Sequence, residues 1–174
     1  MALEQGRQIP RSDILREGIL PHGKAFMFLE SFKVVEPGKK VEGRLADRTL
    51  PEFDYLADHF PGFPIFPGAL SLEALAELSG IAVLSGLPPD NTKIGVLRKA
   101  HDIEWKQPIK PDDVIDLEAE VVFFRHSTGR AKIKAIKNGK IAVEGEITFM
   151  VGDKPKPDEN LLAKFAITSY IDPK

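Results

Sequence analysis

The 174-residue chain contains no cysteine, which excludes a disulfide framework and any thiolate metal site and is compatible with a reducing compartment. Long hydrophobic runs are missing too. The longest apolar stretch, Ala69 to Leu84, is interrupted by Ser71, Glu73, Glu77, Ser79 and Gly80, and it falls short of the ~20 residues that a bilayer-spanning helix needs. The first residues, Met1-Ala2-Leu3-Glu4-Gln5-Gly6-Arg7, lack the apolar core of a signal peptide, so a cytoplasmic location without membrane insertion is expected. Charge of neither sign dominates: the formal net charge is -2, and no arginine-rich run or zinc-finger spacing is present, which argues against nucleic acid as a partner. The four histidines are scattered without metal-ligand spacing, so neither a metal nor another cofactor is expected. Ser71 does not sit in a Gly-x-Ser-x-Gly elbow, which argues against a serine hydrolase.

What is present fits one compact domain, expected over residues 1–152, with a linker and tail over 153–174. Ser12 to Gly18 reads as a short helix opened by a capping serine and stopped by glycine. From Phe26 to Val35 the chain is strand-like. Glu36-Pro37-Gly38-Lys39 then places proline and glycine where a type II turn prefers them, and a strand returns through Val41 and Leu45. Between Val114 and Arg125, Ile115, Leu117, Ala119, Val121 and Phe123 share one face. After a break at Ser127-Thr128-Gly129, Ala131, Ile133 and Ala135 alternate with lysines up to Asn138-Gly139, a type I′ hairpin dipeptide, and Ile141, Val143, Ile147 and Phe149 return. Antiparallel strands with one polar face each need an apolar cover. The helix-forming segment after Pro67 is apolar almost all round and supplies it. The expected class is therefore α+β, an antiparallel sheet wrapped around one long central helix, although the pattern alone does not separate this from other α+β layouts. In the tail, Lys154 to Pro157 reads as a linker and Asp158 to about Phe165 as a short helix.

The unusual stretch is His59-Phe60-Pro61-Gly62-Phe63-Pro64-Ile65-Phe66-Pro67-Gly68. Three prolines and two glycines in ten residues exclude an interior strand or helix, so this is a stiff, shaped loop. It leads into the buried helix, where backbone N–H groups at Gly68 are free to face an oxyanion. Glu73 lies a little over one turn inside that helix on an otherwise apolar surface, and burying an unpaired carboxylate is costly.

These residues carry a resemblance. Leu20-Pro21-His22, His59-Phe60-Pro61-Gly62, Pro67-Gly68-Ala69-Leu70, Leu72-Glu73-Ala74-Leu75-Ala76 and Gln107-Pro108-Ile109-Lys110-Pro111-Asp112-Asp113 resemble the 3-hydroxyacyl-[acyl carrier protein] dehydratases of fatty acid synthesis, over roughly residues 12 to 151. The resemblance implies a hot-dog fold, and a homodimer or a trimer of such dimers. It also implies active sites at the subunit boundary, with His59 as base from one subunit and Glu73 as acid from the other, the Gly68 N–H polarising the thioester carbonyl, and an acyl carrier protein as partner. Glu73 and Ala69 match the plain dehydratases, whereas the dehydratase-isomerases carry aspartate and cysteine there. The chemistry accords with these residue types: removing a weakly acidic α-proton needs a base poised near neutrality and a stabilised enolate oxygen, and the departing hydroxyl needs a proton from a neutral acid.

The chain departs from the family pattern at Phe63, where a second histidine is usual, at Gly23, where an arginine is usual, and at Glu77, where a glutamine is usual. The segment Arg98 to Trp105 also reads as longer than the usual connection. Glu77 falls one turn beyond Glu73 on the same face and is expected to be structural or solvent-linked. His22 is expected to be structural, and His101 and His126 to be surface or interface residues. Phe60, Phe63 and Phe66 are candidates for lining an acyl tunnel beside Ala69. Lys132, Lys134, Lys137 and Lys140 read as a solvated strand face, with attraction of the acidic carrier as the sharper reading. Two other functions stay open: a hot-dog thioesterase, and an acyl-binding subunit without turnover.

Overall fold

The computed structural model describes residues 3–88 and 92–154. The linker and short helix read over 154–165 lie, apart from Lys154, outside these residues. Strand β1 (Gln8–Pro10) leads into helix α1 (Arg11–Arg16). Proline, not Ser12, occupies the cap position, and Gly18 turns the chain with φ +59. The strand read from Phe26 begins at Leu29, because Lys24–Phe26 form a 3-10 turn; it runs to Glu36 as β2 and returns as β3 (Lys40–Leu45). Lys39 N–H donates to the Glu36 carbonyl at 3.0 Å, and Gly38 has φ +74, as the type II turn demands. A second reason for glycine applies there: a Cβ on Gly38 would stand 3.2 Å from the backbone of Gly86.

After a 3-10 segment (Pro51–Asp58), the proline loop opens helix α2 (Gly68–Leu84). The chain then forms β4 (Lys93–Trp105), β5 (Ile115–Arg125), β6 (Thr128–Lys137) and β7 (Lys140–Asp153). All seven strands make one antiparallel sheet in the order β1-β2-β3-β5-β6-β7-β4. Two hairpins close on residues with positive φ: Asn138-Gly139, as read, and His126-Ser127, which makes the supposed break at 127–129 a two-residue turn with Thr128 and Gly129 already inside β6.

The core lies between the sheet and α2. Leu75, Leu78 and Ile81 of the helix, Leu117 and Ala119 of β5, and Ile147 of β7 are all buried, and each large aliphatic side chain contributes roughly 1.5–3 kcal/mol by leaving water. Phe123 was expected on this face but is 51% exposed, because the ladder between β5 and β6 slips after Val121 and turns the next residues outward. The Arg98–Trp105 segment is not an extended connection. It is the body of β4, and its surplus residues are taken up at two register shifts against β7, between Leu97 and Lys99 and between His101 and Glu104. β4 ends the strand order, and its side chains are mostly exposed, Val96 and Leu97 among them.

Candidate active site

His59 closes the 3-10 segment and stands at the head of the proline loop. The loop is tied to itself by Ile65 N–H to the His59 carbonyl (2.7 Å) and by Phe60 and Phe63 bonding in both directions, and it is tied to the sheet side by Phe66 N–H to the Ile109 carbonyl (2.7 Å). The His59 ring faces the Ile65 carbonyl, with Nδ1 2.9 Å from the oxygen. A carbonyl only accepts, so Nδ1 carries the proton and Nε2 presents its lone pair, the arrangement a general base requires. Asp58 takes no part in this contact. The orienting group is a main-chain oxygen six residues on, which no side-chain pattern announces.

The ring lines a cavity of about 210 Å³ with Ile65, Phe66, Gly68, Ser71, Trp105 and Pro108 among its walls. Leu70 and Ser71 N–H both bond to the Pro67 carbonyl, while helix geometry leaves the N–H groups of Gly68 and Ala69 without a partner in their own helix. Trp105 Nε1–H donates to the Gly68 carbonyl (3.2 Å) and to Ser71 Oγ (3.0 Å). A Cβ on Gly68 would lie 2.8 Å from that indole nitrogen, so an added side chain would have to displace the Trp105 ring. Phe66 lines this cavity from the core, Phe60 stacks on His59 with ring centroids 4.3 Å apart, and Phe63 is exposed. The role of Trp105 was not anticipated from the sequence.

Glu73 is elsewhere. At about 100° per residue it points roughly 140° away from Gly68 and 160° away from Ser71 around α2. It lines a second cavity of about 200 Å³ with Leu20, His22, Ala76, Glu77, Gly80 and the Lys93–Leu97 end of β4. One chain therefore holds His59 and Glu73 in separate cavities, on opposite sides of the helix and near opposite ends of β4.

Three polar side chains, Glu73 among them, converge here. His22 Nε2 is 3.4 Å from Glu73 Oε1, and His22 Nδ1 is 3.8 Å from Glu77 Oε1; one ligand atom from each of the three residues lies within 4.8 Å of the others. The segment carrying His22 is fixed by Arg11, which donates to the Lys24 carbonyl (2.7 Å) and pairs with Glu52 (2.6 Å). Glu77 is only 2% exposed, so it is not solvent-linked, and it accepts the Phe28 N–H at 3.0 Å. Burial, aided by the charge of Glu73 and opposed by that N–H and by Arg11, pushes the Glu77 carboxyl up to about 9, so it holds its proton at neutral pH. His101 bonds to Thr148 Oγ1 (2.9 Å), and His126 sits at the hairpin tip; neither adjoins these cavities.

The lysine face is a charge ladder. Lys132 lies between Glu120 and Glu146, and Lys134 between Glu118 and Glu144, on the neighbouring strands, so opposite charges surround both.

One antiparallel sheet packed on a buried helix, with His59 and Gly68 at one cavity and a carboxyl cluster on the helix's far side, defines a hot-dog protein. Solved structures of similar fold include the dehydratase heterocomplex ApeI:P from Xenorhabdus doucetiae (TM-score 0.60, 18% identity, covering 84% of this chain and 93% of that one). A hypothetical thioesterase with coenzyme A from Streptococcus pneumoniae is also similar (TM-score 0.53, 15% identity, 74% and 91%). The profile of the FabA-like domain matches residues 20–147, and the chain belongs to that family. Curated relatives named 3-hydroxyacyl-[acyl-carrier-protein] dehydratase FabZ include one from Ruminiclostridium cellulolyticum, 38% identical over 131 residues (75% of this chain, 90% of the relative). Another, from Listeria monocytogenes, is 37% identical over 138 residues (79% and 94%). Among the described residues no helix is long and apolar enough to cross a membrane.

Proposed function

We propose that the chain is a cytoplasmic dehydratase that removes water from a (3R)-hydroxyacyl chain carried on the phosphopantetheine of an acyl carrier protein, giving the trans-2-enoyl thioester in fatty acid or related acyl-chain biosynthesis. The names of the curated relatives support the substrate class. His59 Nε2 takes the α-proton, the Gly68 N–H meets the developing enolate oxygen, and Glu73 protonates the leaving 3-hydroxyl. The catalytic domain, expected to close at residue 152, extends through Asp153, where β7 ends against Lys93 of β4.

The observation that carries this reading is the placement of the two cavities along β4. Glu73 adjoins its Lys93–Leu97 end and His59 adjoins its Trp105 end, roughly 25 Å of extended chain apart. Among the described residues β4 is an edge strand with exposed Val96, Leu97 and Trp105, the kind of edge that another chain can pair with. Antiparallel pairing of two copies about the middle of β4 brings the His59 end of each copy to the Glu73 end of the other. A two-fold dimer then has two composite sites, each with one residue from each subunit.

Mixing the inactive variants His59→Ala and Glu73→Gln tests this. In a randomly exchanged 1:1 mixture half the dimers are mixed and each restores one of its two sites, so about a quarter of wild-type turnover returns. No recovery, with exchange shown by mass spectrometry, refutes the composite site. Absorbance of the conjugated enoyl thioester reads dehydration, whereas release of free thiol would identify a thioesterase.

A further inference from the structure

The buried carboxyl of Glu77 has no part in the reaction as written, yet it lies against the proposed acid. The His22 ring stands between two carboxyls with one nitrogen toward each, at 3.4 Å from Glu73 and 3.8 Å from Glu77. Nδ1, on the Glu77 side, is buried and has no hydrogen-bond partner among the described residues. Glu77 is anchored by the Phe28 N–H and holds a proton, whose retention the charge of Glu73 favours. The other charged groups around Glu77 are engaged: Arg11 is held by Glu52 and the Lys24 carbonyl, and Lys93, at the cavity wall, pairs with Asp153.

We propose that Glu77 and His22 supply the proton with which Glu73 acts. This rests on the reading of Glu73 as the acid. Glu77 O–H passes its proton to His22 Nδ1 while His22 Nε2–H passes its own to the Glu73 carboxylate. One O–H and one N–H bond break and one of each forms; the imidazole stays neutral, and the negative charge moves from Glu73 to Glu77. The new Glu73 proton leaves with the 3-hydroxyl as water, His59 releases the α-proton to solvent, and a solvent proton reaching the part-exposed His22 recharges the pair. At 3.8 Å the Glu77 contact is longer than a hydrogen bond, so the relay requires the ring to tilt toward Glu77 when substrate binds. Two carboxyls that exchange one proton titrate as a unit, and burial raises the Glu77 member of the pair.

The test is the kcat–pH profile of Glu77→Gln, His22→Asn and the double variant, with Glu73→Gln as control. Glutamine keeps an acceptor for Phe28 but has no acidic proton. Glu77→Gln and His22→Asn should each move the alkaline limb of kcat to lower pH by one unit or more, with turnover at pH 8.5 at least tenfold down and KM held, and the double variant should be no worse than the singles. Superimposable profiles for wild type and Glu77→Gln overturn the relay while an inactive Glu73→Gln leaves the acid assignment standing. A Glu73→Gln enzyme with wild-type turnover overturns that assignment and the relay together.

Discussion

Replacing Glu77 by glutamine removes a titratable group from a place where its charged form is costly, and the effect on stability can be worked from its surroundings. The carboxyl moves from an ordinary 4.5 to about 9 on folding. The folded chain therefore binds one more proton than the unfolded chain between these values, and stability is fully present below about 4.5 and is lost as pH rises toward 9. The slope in that window is about -1.4 kcal/mol per pH unit. At pH 7 the penalty is about 3 kcal/mol, and it depends only on the unfolded value because the folded group is still protonated. In glutamine the carbonyl still accepts the Phe28 N–H, while the second amide proton lacks a partner, a fixed offset of about 1–3 kcal/mol that does not vary with pH. The measurement is therefore the difference between wild type and Glu77→Gln in urea unfolding at fixed protomer concentration from pH 5.5 to 8. Titrating groups outside the His22, Glu73 and Glu77 cluster cancel in that difference, which should change by about 3 kcal/mol in favour of the variant, or roughly 10 °C in Tm. Parallel curves would refute the burial of a proton on Glu77.

His59→Ala and Glu73→Gln should each lower kcat by at least ~10² without dissociating the protein, as loss of acid–base work requires, checked by steady-state kinetics and sedimentation. Leu97→Asp puts a charge on the exposed β4 edge and should shift the protein toward monomer with parallel loss of activity; a fully active monomer would contradict the composite site. Gly68→Ala gains about 1 kcal/mol of helix propensity but forces the half-exposed Trp105 ring aside, so stability should hardly change while the fluorescence of the single tryptophan shifts and turnover falls. Lys132→Ala with Lys134→Ala should alter KM for carrier-bound substrate by less than about twofold, because carboxylates on both neighbouring strands already offset these charges.

Most of the fold was legible because local chemistry and tertiary environment agree. Pro37-Gly38 and Asn138-Gly139 adopt the turns their dihedral preferences specify, and the alternation from Ile115 to Val121 marks the face that α2 covers. Periodicity did not mark β4 as a strand; the resemblance implied one ending with Gln107 to Asp113, and it ends at Trp105. Its residues do not alternate in burial, since the described residues leave one long edge uncovered, and periodicity records burial, not hydrogen bonding. The same cause hid Trp105, whose partners, Gly68 and Ser71, lie more than thirty residues away. His59, Gly68 and Glu73 could be singled out by motif, but the orienter of the His59 ring is a backbone carbonyl and leaves no mark in the composition.

His22 and Glu77 show how far spacing alone can reach. The 3.6-residue helical repeat puts Glu77 beneath Glu73, yet it says nothing of what closes over that face. The closing element is the segment before β2, held down by Arg11, and it brings both the His22 ring and the Phe28 N–H to the helix. With the ring in place, the second carboxyl is sealed from water and keeps its proton, while the first is 28% exposed in the cavity that both line. A difference of one helical turn thus separates a part-exposed carboxyl from one that is almost wholly buried. The alkaline limb of the pH profile is where that division of labour becomes measurable.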